Sequence, residues 1–196
     1  PGRYAFTNPR LFKGEFEPQL VVAVDVASVQ LFGEGNGVPQ YTRHVDLCID
    51  HHAGNSGYAE FTLLDGSAAA AAELLYEVIC AMHVEITPHI ADCLYTGLST
   101  DTGCFRFSST KASTHITAAK LMEAGAHVEE LNTLLFDTKP RERMEAERIA
   151  RNHLEYHLDG RCALIYLTRD EIEQSRVDPA DLEELTSLPI SIEGVK

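Results

Sequence analysis

The spacing of apolar and polar positions changes along this chain, and each change marks a different kind of element. "QLVVAVDVAS" (19–28) is a continuous apolar run ending at Asp25, the pattern of a strand buried on both faces. "HVDLCIDHH" (44–52) alternates Val45, Leu47 and Ile49 on one face and predicts a second strand. "YAEFTLLDGS" (58–67) predicts a third, shorter one. Residues 1–18 have no period and read as irregular or edge structure, and 29–43, with Gly33, Gly35, Gly37 and Pro39, read mostly as loop. Beyond Ser67, a candidate N-cap, the period lengthens: "AAAAAELLYEVICAM" is a run of strong helix formers. Thr87 and Pro88, cap plus proline at the first helical position, open "HIADCLYTGLST". "ASTHITAAKLMEA", stopping at Gly125, and "EELNTLLFD" predict two more helices.

Pro140 then opens a charged helix, "RERMEAERIARNHLEYHL", expected to run to near Gly160. "CALIYLT" reads as a strand, a short helical stretch follows Pro179, and "ISIEGVK" looks strand-like. Strands followed by helices predict an α/β fold, a mainly parallel sheet with flanking helices. The expected organisation is a first domain over 1–139, a linker helix over 140–158 and the start of a second α/β domain over 159–196.

Composition narrows the class. A chain of 196 residues with 44% hydrophobic and 23% charged positions is globular and long enough for a sizeable core. A net charge of −14 argues against a face for long duplex nucleic acid, so a phosphate-bearing substrate would need bound cations to attract it. No apolar run reaches the ~20 residues that cross a bilayer, so no membrane partner is expected. The five cysteines, odd in number and without a CxxC pair, fit a reducing cytoplasm and read as buried small hydrophobes.

The polar groups at the strand ends carry the chemistry. In open α/β sheets ligands lie beyond the carboxyl ends of the strands, which puts Asp25 and the Asp50-His51-His52 triplet on one rim. Ile90, Leu94 and Leu98 form a core stripe on the helix from Pro88, and Asp101 follows on the same side. A carboxylate facing inward at a helix C-terminus is costly unless paired or bound to metal. Each of these groups alone is more often a cap or turn residue; together on one rim, the carboxylates need a compensating cation. Adjacent residues of a strand point to opposite faces, so His51 and His52 are expected to divide between ligand and substrate contact. In "TGCFRFSST" an extended stretch with Phe105 and Phe107 inward would hold Arg106 outward, to grip a phosphate or to neutralise Asp101.

"VVAVDVAS", "CIDHHAGN" and "LYTGLSTDTGCFRFSST", in this order and spacing with an alanine-rich helix between, resemble the DHH phosphoesterase family. The match looks closest to bacterial oligoribonuclease and phosphoadenosine-phosphate phosphatase enzymes and covers roughly 19–158. The resemblance implies a manganese-dependent phosphoesterase, with Mg²⁺ an alternative ion. It would hydrolyse very short RNA, linear dinucleotides or phosphoadenosine phosphate through two-metal activation of water. Carried over, Asp25 would bridge two Mn²⁺ ions, with His51 and Asp101 completing the ligands of one. Asp50 would support the histidine and His52 would contact the scissile phosphate, both counted as catalytic. Asn55 and Arg106 would face the substrate. A homodimer is among the assemblies the resemblance allows.

The resemblance also implies parts that these residues do not supply. Family members carry an earlier strand ending in a His and two Asp, yet no Asp or His precedes Asp25. The Gly-rich, His-containing loop of a nucleotide-binding domain has no counterpart after Gly160. The chain is therefore expected to be an internal fragment holding about half the metal site, marginally stable and largely inactive by itself. Glu15 and Glu17 are weak substitutes for the missing ligands. The rivals are a DHH-type inorganic pyrophosphatase and a non-catalytic nucleotide-binding remnant. His153 and His157, at i, i+4, read as an exposed helix face; His115 reads as surface or packing, with an approach to substrate as the alternative. Glu73 reads either as support for the site or as solvated.

Overall fold

A computed structural model of the chain describes residues 19–32 and 43–195. The irregular stretch expected over 1–18, most of the loop over 29–43, and Glu15 and Glu17 lie outside the described residues. The chain divides into two compact units, Pro1–Leu135 and Phe136–Lys196.

In the first unit, β1 (Val22–Val24), β2 (Leu47–Asp50) and β3 (Phe61–Leu64) form a parallel sheet in the order β1-β2-β3. The register pairs Val22 with Leu47 and Leu47 with Phe61, so Val24, Ile49 and Leu63 lie level, and β2 and β3 run one residue further to Asp50 and Leu64. Four helices follow: α1 (Ala71–Ala81), α2 (Pro88–Asp101), α3 (Ala112–Glu123) and α4 (Val128–Asn132). α4 continues into a wide helical turn, Thr133–Asp137.

The middle strand is the buried one: Cys48, Ile49 and Asp50 are all buried. The double burial expected for β1 is not observed, since only Ala23 is buried while Val22 and Val24 are exposed. Their register partners on β3, Phe61 and Leu63, are exposed too, so this face is open at the two outer strands while Ile49, between them on β2, is buried.

The main core lies between α1, α2 and α3, where Leu94, Tyr95, Leu98 and Leu121 pack with Ala70, Ala91 and Ala118. Thr87 caps α2 as its sequence predicts, accepting from the Ile90 amide at 3.4 Å with Pro88 in the first turn. Ser67 does not cap α1. That helix starts at Ala71 behind Ala70, because Ser67 is held in a turn, its amide donating to Asp65 Oδ1 at 2.8 Å. None of the five cysteines is in a disulfide, and only Cys48 is buried; Cys80, Cys93 and Cys162 are exposed. Their reading as core residues holds for Cys48 alone.

In the second unit, α5 (Arg141–Asn152) packs on α6 (Arg169–Ser175) and α7 (Pro179–Leu182) around Ala146, Val177 and Leu185. The charged helix stops at Asn152, short of Gly160. The chain instead forms an antiparallel hairpin, β4 (Glu155–His157) with β5 (Cys162–Leu164). His153 and His157 therefore do not share a helix face: His153 binds the Tyr166 carbonyl at 3.0 Å and Glu171 at 3.3 Å, while His157 lies on β4. The strand-like reading of the terminal stretch is also corrected. Ser187–Ile190 is helical (α8), and turns follow it.

Candidate metal and phosphate site

The C-terminal rim of the parallel sheet gathers the polar groups. The chain leaves β1 at Asp25, which adopts a left-handed backbone (φ 62) while its amide donates to the Ile49 carbonyl of β2 at 3.0 Å. Asp tolerates this conformation better than a β-branched residue, which suits the abrupt change of direction. The next carbonyl, Val26, accepts from the Tyr58 hydroxyl at 3.0 Å and from Asn55 Nδ2 at 3.4 Å. The turn after β1 is thereby tied to the segment after β2.

Asp50 ends β2 with no exposed surface. Its Oδ1 accepts from the amides of His51 (2.8 Å) and His52 (3.2 Å) and from His52 Nδ1 (2.7 Å). Its Oδ2 accepts from Asn55 Nδ2 at 2.6 Å. Burial alone would raise its pKa. The hydrogen bonds from Asn55, from the His52 ring and from both backbone amides outweigh that and hold the carboxyl below its usual value. Asp50 is thus an ionised buttress that organises both histidines rather than an open ligand.

His51 and His52 follow the strand instead of extending it, so they do not part to opposite faces. Their rings lie 4.5 Å apart, centroid to centroid. Asp25, His51 and His52 each bring a ligand atom within 4.8 Å of the others. The two rings still have separate surroundings. His51 Nδ1 lies 3.3 Å from the Ala68 carbonyl, which can only accept, so the proton is on Nδ1. Its Nε2 then faces Asp25 Oδ1 and Asp101 Oδ2, each at 3.4 Å. His52 Nδ1–H donates to Asp50 Oδ1, a bond that raises its pKa against the opposing effect of burial, with further help from the charges of Asp50, Asp25 and Asp101. The half-exposed His52 ring keeps Nε2 for another partner.

Asp101, the last residue of α2, completes the group. Burial raises its pKa and the Asp25 carboxylate adds to the rise, while His51 and His52 offset part of it. With the proton on Nδ1, His51 Nε2 presents its lone pair towards two carboxylate oxygens, each at 3.4 Å. That donor set, two carboxylates and one imidazole, fits a hard divalent cation.

The other expected site residues are placed differently. Asn55 is turned inward onto Asp50, and its Oδ1 accepts from the Gly57 amide at 2.8 Å. The stretch around Arg106 is not extended. After α2 the amides of Arg106 and Phe107 turn back to the Thr102 carbonyl at 2.9 and 3.0 Å, because the carbonyls of a helix end need donors. Cys104 and Phe105 take left-handed conformations to allow this. Of the two aromatics only Phe105 is anchored, against Tyr95 and stacked on the exposed His115; Phe107 is exposed. Arg106 is exposed with Nε donating to the Gly103 carbonyl at 2.6 Å.

Sequence reasoning missed the Ala68 carbonyl, for which a side-chain pattern offers no signal, and left Glu73 undecided. Glu73 is buried, with Oε2 accepting from the Ala69 amide at 3.3 Å. A second cluster, His44, Asp46 and Glu60, lies at the opposite, N-terminal end of β2 and β3 and is largely exposed. Among the described residues no helix is long and apolar enough to cross a membrane.

No protein-family model matches the chain. It is 38% identical over 87 residues to the bifunctional oligoribonuclease and PAP phosphatase NrnA of Thermus thermophilus, a match covering 44% of this chain and 27% of that protein. It is 24% identical over 187 residues to the probable bifunctional oligoribonuclease and PAP phosphatase NrnA of Streptococcus mutans, covering 93% of this chain and 57% of that one. An exopolyphosphatase-related protein from Bacteroides fragilis shares the fold, with a TM-score of 0.82 at 23% identity over 91% of this chain and 53% of that chain. The matches thus span between 27% and 57% of the length of these proteins.

Proposed function

We propose that the chain is a DHH phosphoesterase and that its rim forms part of a manganese-dependent site for short oligoribonucleotides, linear dinucleotides or phosphoadenosine phosphate. The observation that carries this reading is the position of His51 Nε2, 3.4 Å from both Asp25 and Asp101 and with its proton committed to the far side of the ring. Asp25, His51 and Asp101 would hold the cation. When bound, it would supply Lewis-acid stabilisation of phosphate charge and an activated water. That local positive charge would also let a net-acidic protein accept a polyanion.

The remaining residues orient and recognise. Asp50 fixes His52 through Nδ1, so the ring presents Nε2 to the rim, where it can donate to a phosphate oxygen in the protonated form that Asp50 favours. Asn55 keeps Asp50 ionised and fixed. Arg106, exposed beyond the end of α2, is available for a more distant phosphate of the substrate. The names of the relatives favour the nucleotide substrates over pyrophosphate.

Equilibrium dialysis against Mn²⁺ tests the reading first, followed by hydrolysis of a 5′-phosphorylated diadenylate and of pyrophosphate. Saturable Mn²⁺ binding that Asp101→Asn abolishes, with the dinucleotide preferred, supports it. No saturable binding rejects it, and a preference for pyrophosphate replaces the substrate.

A further inference from the structure

We infer that Glu73 is a positioning residue for His51, acting through the single peptide group that joins Ala68 to Ala69. This inference rests on the reading of His51 as a cation ligand. The two polar atoms of that peptide are used in opposite directions. Its N–H, on Ala69, donates to Glu73 Oε2 at 3.3 Å, and its C=O, on Ala68, accepts from His51 Nδ1 at 3.3 Å. Because a peptide group is planar, a partner that fixes the N–H direction fixes the opposed C=O as well. A carboxylate on the N–H side also polarises the group and strengthens the carbonyl as an acceptor.

The burial of Glu73 gives this arrangement its weight. The residue is only 8% exposed, and its second oxygen, Oε1, has no hydrogen-bond partner. A buried carboxylate with an unpaired oxygen is costly. The start of α1 offsets part of that cost through its dipole, but a small neutral cap would serve the helix with less penalty. What a neutral cap would not supply is a charge-assisted grip on the Ala68–Ala69 peptide.

The rest of the turn is secured by other contacts. The Ser67 amide donates to Asp65 Oδ1 at 2.8 Å, the Ala68 amide to the Asp65 carbonyl at 3.0 Å, and Lys111 Nζ to the Ser67 carbonyl. None of these contacts addresses the peptide that His51 uses. Glu73 does, and it thereby sets which His51 nitrogen carries the proton and where Nε2 points.

The test uses the full chain and three variants. Glu73→Met fills a similar volume and suits a helix but offers no oxygen; Glu73→Gln keeps an acceptor and loses the charge. Glu77→Gln, exposed one turn further along α1, is the control. Nitrogen-detected imidazole NMR of the metal-free proteins reads the His51 tautomer. The expected result is an Nδ1–H tautomer in wild type and in Glu77→Gln, a tautomer mixture in Glu73→Met, and an intermediate state in Glu73→Gln. Mn²⁺ affinity is expected to fall about 10- to 100-fold in Glu73→Met. Wild-type nitrogen shifts for His51 in Glu73→Met, folded by far-UV circular dichroism, overturn the inference. If that variant does not fold, wild-type shifts in Glu73→Gln overturn it instead. Should wild type bind no Mn²⁺, the metal reading fails, while the tautomer comparison still decides whether Glu73 positions His51.

Discussion

His51 Nε2 and Asp101 Oδ2 lie 3.4 Å apart, one from the segment after a buried strand and the other from the C-terminus of a helix. Asp101 is held there at a cost: burial and the Asp25 carboxylate both raise its pKa. A group whose folded pKa is raised binds its proton more tightly in the folded state, so its ionisation opposes folding at neutral pH. Asp101→Asn is therefore expected to weaken Mn²⁺ binding by on the order of 100-fold or more. The same variant should raise the melting temperature of the metal-free chain. That gain should be largest near neutral pH and shrink as pH falls through the folded pKa of Asp101. Calorimetric titration and thermal melts at several pH values check both effects.

His52 differs from His51 in what its outward nitrogen meets. His52→Ala should leave Mn²⁺ affinity near wild type, because Nδ1 is already committed to Asp50. Binding of inorganic phosphate to the Mn²⁺-loaded chain should weaken about 10- to 100-fold, the value of a hydrogen bond to a charged group. Loss of Mn²⁺ binding in this variant would make His52 a ligand.

Asp50 carries the opposite pH signature to Asp101. Its folded pKa lies below the ordinary value of 3.8, so the stability it supplies is present above that value and is lost as pH falls through the folded pKa. Acid unfolding of Asp50→Asn, followed by circular dichroism, should depend less steeply on pH below about 4 than that of wild type. The variant should also be less stable at neutral pH, since an amide cannot accept at both oxygens from the donors now arranged around the carboxylate.

Leu98 is fully buried in the stripe that leads to Asp101. Leu98→Ala should cost about 2–5 kcal/mol in denaturant unfolding. Because α2 carries Asp101, Mn²⁺ affinity should fall as well, even under conditions where the variant remains folded.

Much of this protein was legible in its order of residues. The parallel α/β arrangement, the Thr87–Pro88 helix start, and the placement of Asp25 and Asp50 on one rim follow from local pattern and strand-end geometry. Those depend on neighbours in the chain, which a sequence displays. Tertiary structure alone decided what depends on distant partners. Asn55 turned inward because a buried carboxylate needed its donor. The Arg106 stretch curled back because the end of α2 had carbonyls to satisfy. His51 and His52 converged because both answer to Asp50, and Val22 and Val24 stayed exposed because β1 is an outer strand of the described sheet, whereas Ile49 beside them on β2 is buried. The Glu73–peptide–His51 relay was beyond sequence reasoning for the same physical reason: it runs through backbone atoms, which every residue shares and no pattern distinguishes.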